Sequence, residues 1–103
     1  MTATYAKVAV VSEFATRNYR IIQFMGKEVA IFKIGDEFFA VNNLCPHRQA
    51  PLSAGEIKDS VVTCPWHQAR FDLRTGKGLP GPHQADIGCY RTEVKAGAVY
   101  FVL

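Results

Sequence analysis

Short apolar segments rich in Val, Ile, Phe and Tyr recur along the chain, separated by polar and glycine-containing breaks. Apolar positions spaced as on one face of a helix are almost absent. Residues 19–25, 28–34 and 37–41 are separated only by Gly26-Lys27 and Gly35-Asp36, and breaks this short are typical of β-hairpins. The pattern predicts an all-β domain, with further strands at residues 5–11, 61–63, 69–73, 90–95 and 99–103.

Two stretches break the strand pattern. Ser12 is expected to cap a short turn or a single helical turn that runs through Asn18. From residue 42 to about residue 82, the strands shorten while Pro, Gly, Cys and His concentrate, and residues 76–82 are predicted to form a fixed surface loop. Because 103 residues suit a single domain, we expect this second stretch to carry the site of one domain, residues 1–103.

Charge and cysteine content exclude several classes of function. Twelve Lys and Arg against nine Asp and Glu give a net charge of +3, which is scattered along the chain and too small to indicate nucleic-acid binding. No apolar run approaches the ~20 residues of a membrane-spanning helix, and the first residues lack the pattern of an export signal. We therefore expect a cytoplasmic protein without membrane contact, whose three cysteines are reduced.

Two short motifs carry candidate metal ligands. Cys45-Pro46-His47 and Cys64-Pro65-Trp66-His67 each offer one thiolate and one imidazole, which suit zinc and iron-sulfur clusters. Zinc fingers normally pair Cys with Cys and His with His along the chain, whereas each motif here mixes the two types. The mixture favours a two-iron cluster with both Cys on one iron and both His on the other. Zinc stays an alternative, and a nucleophilic Cys-His pair would use only two of the four residues.

The two motifs and their flanks, residues 45–55 and 64–76, resemble the cluster-binding segments of Rieske proteins, and residues 80–82 lie where that family has a third loop. The resemblance implies a Rieske-type 2Fe-2S cluster, with Cys45 and Cys64 on the buried iron and His47 and His67 on the outer iron. It also implies three antiparallel sheets, with a small cluster-binding subdomain of about residues 42–83 at one end.

Four positions indicate which branch of the family the chain resembles. Ala50 and Trp66 occupy the positions of the loop disulfide found in high-potential Rieske proteins, and Ala69 and Phe71 occupy those of the hydroxyls that bond to the cluster sulfurs. Without those hydrogen bonds the potential falls. The chain therefore resembles a soluble, low-potential Rieske-type ferredoxin, with Gln68 where the family usually has Gly.

The resemblance implies an electron carrier rather than an enzyme. Such a ferredoxin would be a monomer that passes one electron from a flavoprotein reductase to the terminal oxygenase of a ring-hydroxylating dioxygenase system. One alternative is the small subunit of an assimilatory NAD(P)H nitrite reductase, which would act with a sirohaem large subunit. Another is a zinc-bound interaction module.

The remaining candidate residues lie around these motifs. Cys89 is expected to be buried in the core, as free cysteines usually are, and His83 to be an exposed loop residue without a function. Trp66 is expected either to pack in the core or to contribute to docking. A basic rim that would attract an acidic partner is predicted from Arg48, Arg70, Arg74 and Lys77.

Overall fold

A computed structural model describes residues 4–44, 51–65, 69–80 and 86–103. Apart from two 3₁₀ turns at Val11–Phe14 and Leu52–Ala54, the regular structure of these residues is β-strand. The strands are β1 (Tyr5–Val10), β2 (Tyr19–Phe24), β3 (Lys27–Ile34), β4 (Glu37–Asn42), β5 (Glu56–Lys58), β6 (Val61–Thr63), β7 (Arg70–Asp72), β8 (Cys89–Tyr90), β9 (Thr92–Lys95) and β10 (Ala98–Val102). The all-β prediction is confirmed.

The strands form three antiparallel sheets, as the resemblance implied. The terminal sheet has the order β1-β10-β9, the central sheet β2-β3-β4-β8, and the small sheet β5-β6-β7. The short strand β5 was not predicted. It has a single apolar residue, Ile57, and it is defined by its pairing with β6, in which Ile57 lies opposite Val62.

The position of the β2–β3 turn is set by which residues can adopt a positive φ, rather than by which residues are polar. The β2–β3 turn is Met25-Gly26, one residue earlier than the predicted Gly26-Lys27, and both residues have positive φ, 50° and 81°. Such a turn favours glycine at its second position, so Lys27 begins β3 opposite Phe24. The first 3₁₀ turn is also capped differently, because the Glu13 carboxylate, rather than Ser12, accepts a hydrogen bond from the Val10 N–H at 2.7 Å.

Two hydrophobic clusters lie on opposite faces of the central sheet. Since side chains alternate along a strand, Val29 and Ile31 of β3 pack with the terminal sheet, whereas Ala30 and Phe32 pack with Val62 and Phe71 of the small sheet and with Leu52. Burying a side chain the size of Phe32 contributes roughly 1.5–3 kcal/mol. The cluster that contains Phe32 thus fixes the small sheet, and the chain segments that leave it, against one face of the central sheet.

Within the described ranges, no helix is long and apolar enough to cross a membrane.

Candidate metal centre

The segment that carries the first motif is closed at its base. Leu44 and Pro51 pair as an isolated antiparallel bridge, and they bracket residues 45–50. The Leu52 N–H then donates a hydrogen bond to the carbonyl oxygen of Asn43, which precedes the segment. The residues before position 45 and after position 50 therefore lie side by side. The predicted ligands Cys45 and His47, together with Arg48 and Ala50, lie outside the described residues.

The second motif begins at the end of the small sheet. Thr63 pairs with Arg70, and the Cys64 N–H donates a 2.7 Å hydrogen bond to the Ala69 carbonyl oxygen, so residues 64–69 are also closed at their base. The Cys64 side chain is fully buried and its thiol is free of any disulfide. His67 lies outside the described residues, as do Trp66 and Gln68.

A close backbone contact brings the two closed segments together. Gly55 ends the second 3₁₀ turn, and a Cβ atom there would overlap the carbonyl oxygen of Thr63 and lie 3.1 Å from that of Leu52. The return of the first segment is therefore packed directly against the residue before Cys64. A larger residue at position 55 would separate the bases of the two motif-bearing segments.

The surroundings of Cys64 are apolar and suit a metal-bound thiolate on the inner side of a site. Cys64 packs in one cluster with Leu52, Val62, Ala69 and Phe71. The resemblance to Rieske proteins implies that the last two stand where high-potential members carry hydroxyl groups. A buried cysteine on a closed turn is fixed in place and shielded from water. No group of three or more His, Cys, Asp and Glu forms a metal site among the described residues, which exclude the other three predicted ligands.

Residues 76–80 of the predicted surface loop pack against the small sheet, and residues 81 and 82 lie outside the described residues. Lys77 and Leu79 form backbone hydrogen bonds with Asp72 and Arg70 of β7, each 2.9 Å long. The Asp86 carboxylate accepts a hydrogen bond from the Gly78 N–H at 3.0 Å. Hydrogen bonds therefore fix the chain both before the predicted third loop, at residues 77–79, and after it, at Asp86. His83 lies outside the described residues.

The prediction that Cys89 is buried in the core is wrong. Cys89 belongs to the two-residue edge strand β8, and its side chain is exposed, with Sγ 3.7 Å from the carbonyl oxygen of Arg74 and 3.9 Å from that of Leu73. Partial desolvation of the sulfur and, to a smaller extent, the charge of Asp72 raise the pKa of the Cys89 thiol. Cys89 is therefore protonated at neutral pH, with backbone carbonyl oxygens as the acceptors of its S–H group.

The predicted basic rim stays a prediction, because Arg48 and both histidines that it would surround lie outside the described residues. Arg70, Arg74 and Lys77 are exposed, as predicted for solvated cations. Arg70 and Glu56 lie on the same outer face of the small sheet, on either side of Thr63, so acidic and basic side chains alternate on that face.

Sequence reasoning missed Asn43 and Gly55 as residues that hold the two motif-bearing segments in place. For Asn43, the sequence offered one indication, an amide side chain two positions before the predicted ligand Cys45.

Comparison with known proteins decides the family. The model of the Rieske [2Fe-2S] domain matches residues 4–91. The chain belongs to the Rieske family. This result confirms the resemblance stated from the two motifs, the three-sheet fold and the predicted 2Fe-2S cofactor. Which residues hold the cluster stays a prediction.

The chain is similar over nearly its whole length to ferredoxin components. It is 33% identical over 95 residues to the ferredoxin component of the naphthalene 1,2-dioxygenase/salicylate 5-hydroxylase systems of a Ralstonia species, covering 92% of this chain and 91% of the relative. The ferredoxin of carbazole 1,9a-dioxygenase from Nocardioides aromaticivorans IC177 superposes with a TM-score of 0.84 at 29% identity, covering 95% and 96%. A ferredoxin solved in complex with the oxygenase of carbazole 1,9a-dioxygenase superposes with a TM-score of 0.82 at 31% identity, covering 95% and 92%.

Proposed function

We propose that this Rieske protein is a ferredoxin that receives one electron from a flavoprotein reductase and delivers it to the terminal oxygenase of a ring-hydroxylating dioxygenase system. The observation that carries the proposal is the match over more than nine-tenths of both chains to a ferredoxin solved together with its oxygenase. In this arrangement the oxygenase performs the chemistry on the substrate, and the ferredoxin carries the electron without being an enzyme itself.

The proposed ligands are Cys45 and Cys64 on the inner iron and His47 and His67 on the outer iron. Support comes from the closed bases of both segments and from the Gly55 contact that joins them. When bound, the cluster supplies a one-electron redox couple. The chain fixes the Cys64 backbone by its hydrogen bond to Ala69 and excludes water from the sulfur with Leu52 and Phe71.

The proposal treats residues 1–103 as one domain, with a cluster-binding subdomain of about residues 42–83. The small sheet and the closed bases of both segments lie within those limits, which supports the division. The monomeric state and the cytoplasmic location stay predictions from the sequence. The acidic partner surface also stays a prediction, supported by the exposure of Arg70, Arg74 and Lys77.

Co-purification from the source cells, followed by reconstitution, tests the proposed partners. We expect the native protein to be recovered with a flavoprotein reductase and an oxygenase. Adding the purified chain should then restore substrate oxygenation to a mixture of those two proteins. Recovery with a sirohaem reductase, together with no restored oxygenation, would overturn the assignment in favour of a nitrite reductase subunit.

The apolar side chains beside Cys64 predict a low reduction potential. Ala69 and Phe71 are buried and carry no hydroxyl group that could stabilise the reduced cluster. We expect a midpoint near the low end of the Rieske range, about −150 mV, since hydrogen bonds to the sulfurs raise the potential. Voltammetry of the purified protein measures this value, and a midpoint in the positive part of the family range would contradict the prediction.

A further inference from the structure

Asn43 is a buried polar residue that the proposed electron-transfer function does not yet use. It directly follows β4 and lies two positions before the proposed ligand Cys45, and only 1% of its surface is exposed. A buried amide is retained only where its polar atoms have partners, because an unpaired one costs free energy. The contacts of Asn43 therefore indicate what it holds together.

Asn43 connects β3 to both ends of the first motif-bearing segment. Its N–H donates to the Glu28 carbonyl oxygen at 2.9 Å, which fixes the chain as it departs from β4. Its own carbonyl oxygen accepts from Leu52, and its Oδ1 accepts from the Ser53 N–H at 2.8 Å, so the returning chain is held by the same residue. Its Nδ2 donates to the Glu28 carboxylate at 3.4 Å.

The two side-chain contacts need an amide at position 43. A backbone N–H such as that of Ser53 can only donate, and an ionised carboxylate such as that of Glu28 can only accept. An amide satisfies both at once. Asp would accept from Ser53 but would place a second negative charge beside Glu28, while Leu would leave both groups without their partner.

We propose that Glu28 and Asn43 form a clamp that positions the first ligand segment, so that its cysteine and histidine meet the ligands of the second segment. The inference rests on the proposed function, because it takes Cys45 and His47 as cluster ligands. Neither Glu28 nor Asn43 touches the cluster in this proposal. Both act by fixing the positions from which residues 45–50 depart and to which they return.

Two variants test the clamp: a single variant that breaks the contact between Glu28 and Asn43, and a double variant that exchanges the amide and the carboxylate and so keeps the net charge. In Asn43→Asp the Glu28 carboxylate loses its donor and faces a second negative charge, and the cluster should be lost to excess iron chelator roughly tenfold faster than in wild type, since losing such a bond costs about as much as a tenfold rate change. The double variant Glu28→Gln/Asn43→Asp restores one donor and one acceptor in exchanged positions. It should return the rate to within about threefold of wild type, by the same reasoning.

Asn42→Asp is the matched control. It introduces the same charge one residue away, where the side chain accepts a 2.9 Å hydrogen bond from the Tyr90 hydroxyl of β8. It should leave the rate of cluster loss close to that of wild type. The electron paramagnetic resonance spectrum of each reduced holoprotein, and its unfolding midpoint in urea, separate positioning from general stability. The spectrum should change in Asn43→Asp and recover in the double variant.

Three results would overturn the clamp: a wild-type rate and spectrum in Asn43→Asp, an equal effect of Asn42→Asp, or no recovery in the double variant. If Asn43→Asp does not fold, the double variant decides alone, because loss of its cluster would also contradict the clamp. These measurements need no redox partner. Failure to serve an oxygenase would therefore refute the proposed function without affecting them, whereas a wild-type protein without a 2Fe-2S cluster would remove the basis of both.

Discussion

Cys64→Ser protein should be purified without its iron-sulfur cluster. The Cys64 thiol is fully buried at the closed base of the second segment, and a serine hydroxyl there is a far weaker ligand for iron than a thiolate. Residues that only support a ligand already cost about 10- to 100-fold in metal affinity when changed, so loss of the ligand itself should exceed that range. Iron and acid-labile sulfide per chain, with the visible spectrum, measure the effect.

Cys89→Ser provides the matched control for that experiment. The Cys89 thiol is exposed on the edge strand β8 and faces backbone carbonyl oxygens. Its replacement should leave iron, sulfide and visible absorption at wild-type values. Full cluster content in Cys64→Ser, or equal loss in both variants, would contradict the assignment of Cys64 as a ligand.

Gly55→Ala should lower both stability and cluster content. The added methyl group would overlap the Thr63 carbonyl oxygen, which is backbone and cannot rotate away as a side chain can. The φ of Gly55 is −83°, so the penalty is steric rather than conformational. Overpacking of this kind typically costs about 1–3 kcal/mol, and we expect the free energy of unfolding to fall by the upper part of that range. Urea unfolding and iron content are the two measurements.

Gly97→Ala separates a local backbone effect from this contact. Gly97 has a positive φ of 77° and no neighbouring atom within 4 Å of the position of an added Cβ. Its replacement should cost roughly 1–2 kcal/mol of left-handed strain and leave the cluster intact. If Gly55→Ala kept full cluster content at wild-type stability, the contact with Thr63 would not be what joins the two segments.

Local patterns along the chain predicted the longer strands. In β3 and β4, apolar residues of one face of the central sheet alternate with those of the other, and glycine-containing turns separate the strands. The strand β6 was predicted with its observed bounds, and β7 within one residue at each end. The position of Cys64 directly after β6 could therefore be predicted from the sequence.

Features that depend on contacts between distant residues could not be predicted in this way. Glu56–Lys58 becomes a strand only because β6 lies beside it. Cys89 is exposed because β8 is a short edge strand, and this position overrides the usual burial of free cysteine. Asn43 and Gly55 act through Ser53, Glu28 and Thr63, and no local pattern reports those contacts.

A reductive titration of the purified protein, followed by electron paramagnetic resonance, tests the central claim most directly. The account predicts two irons and two acid-labile sulfides per chain, uptake of a single electron, and a reduced signal whose average g is lower than that of clusters held by four cysteines. Zinc in place of iron, or protein with iron that takes up no electron and gives no such signal, would contradict it.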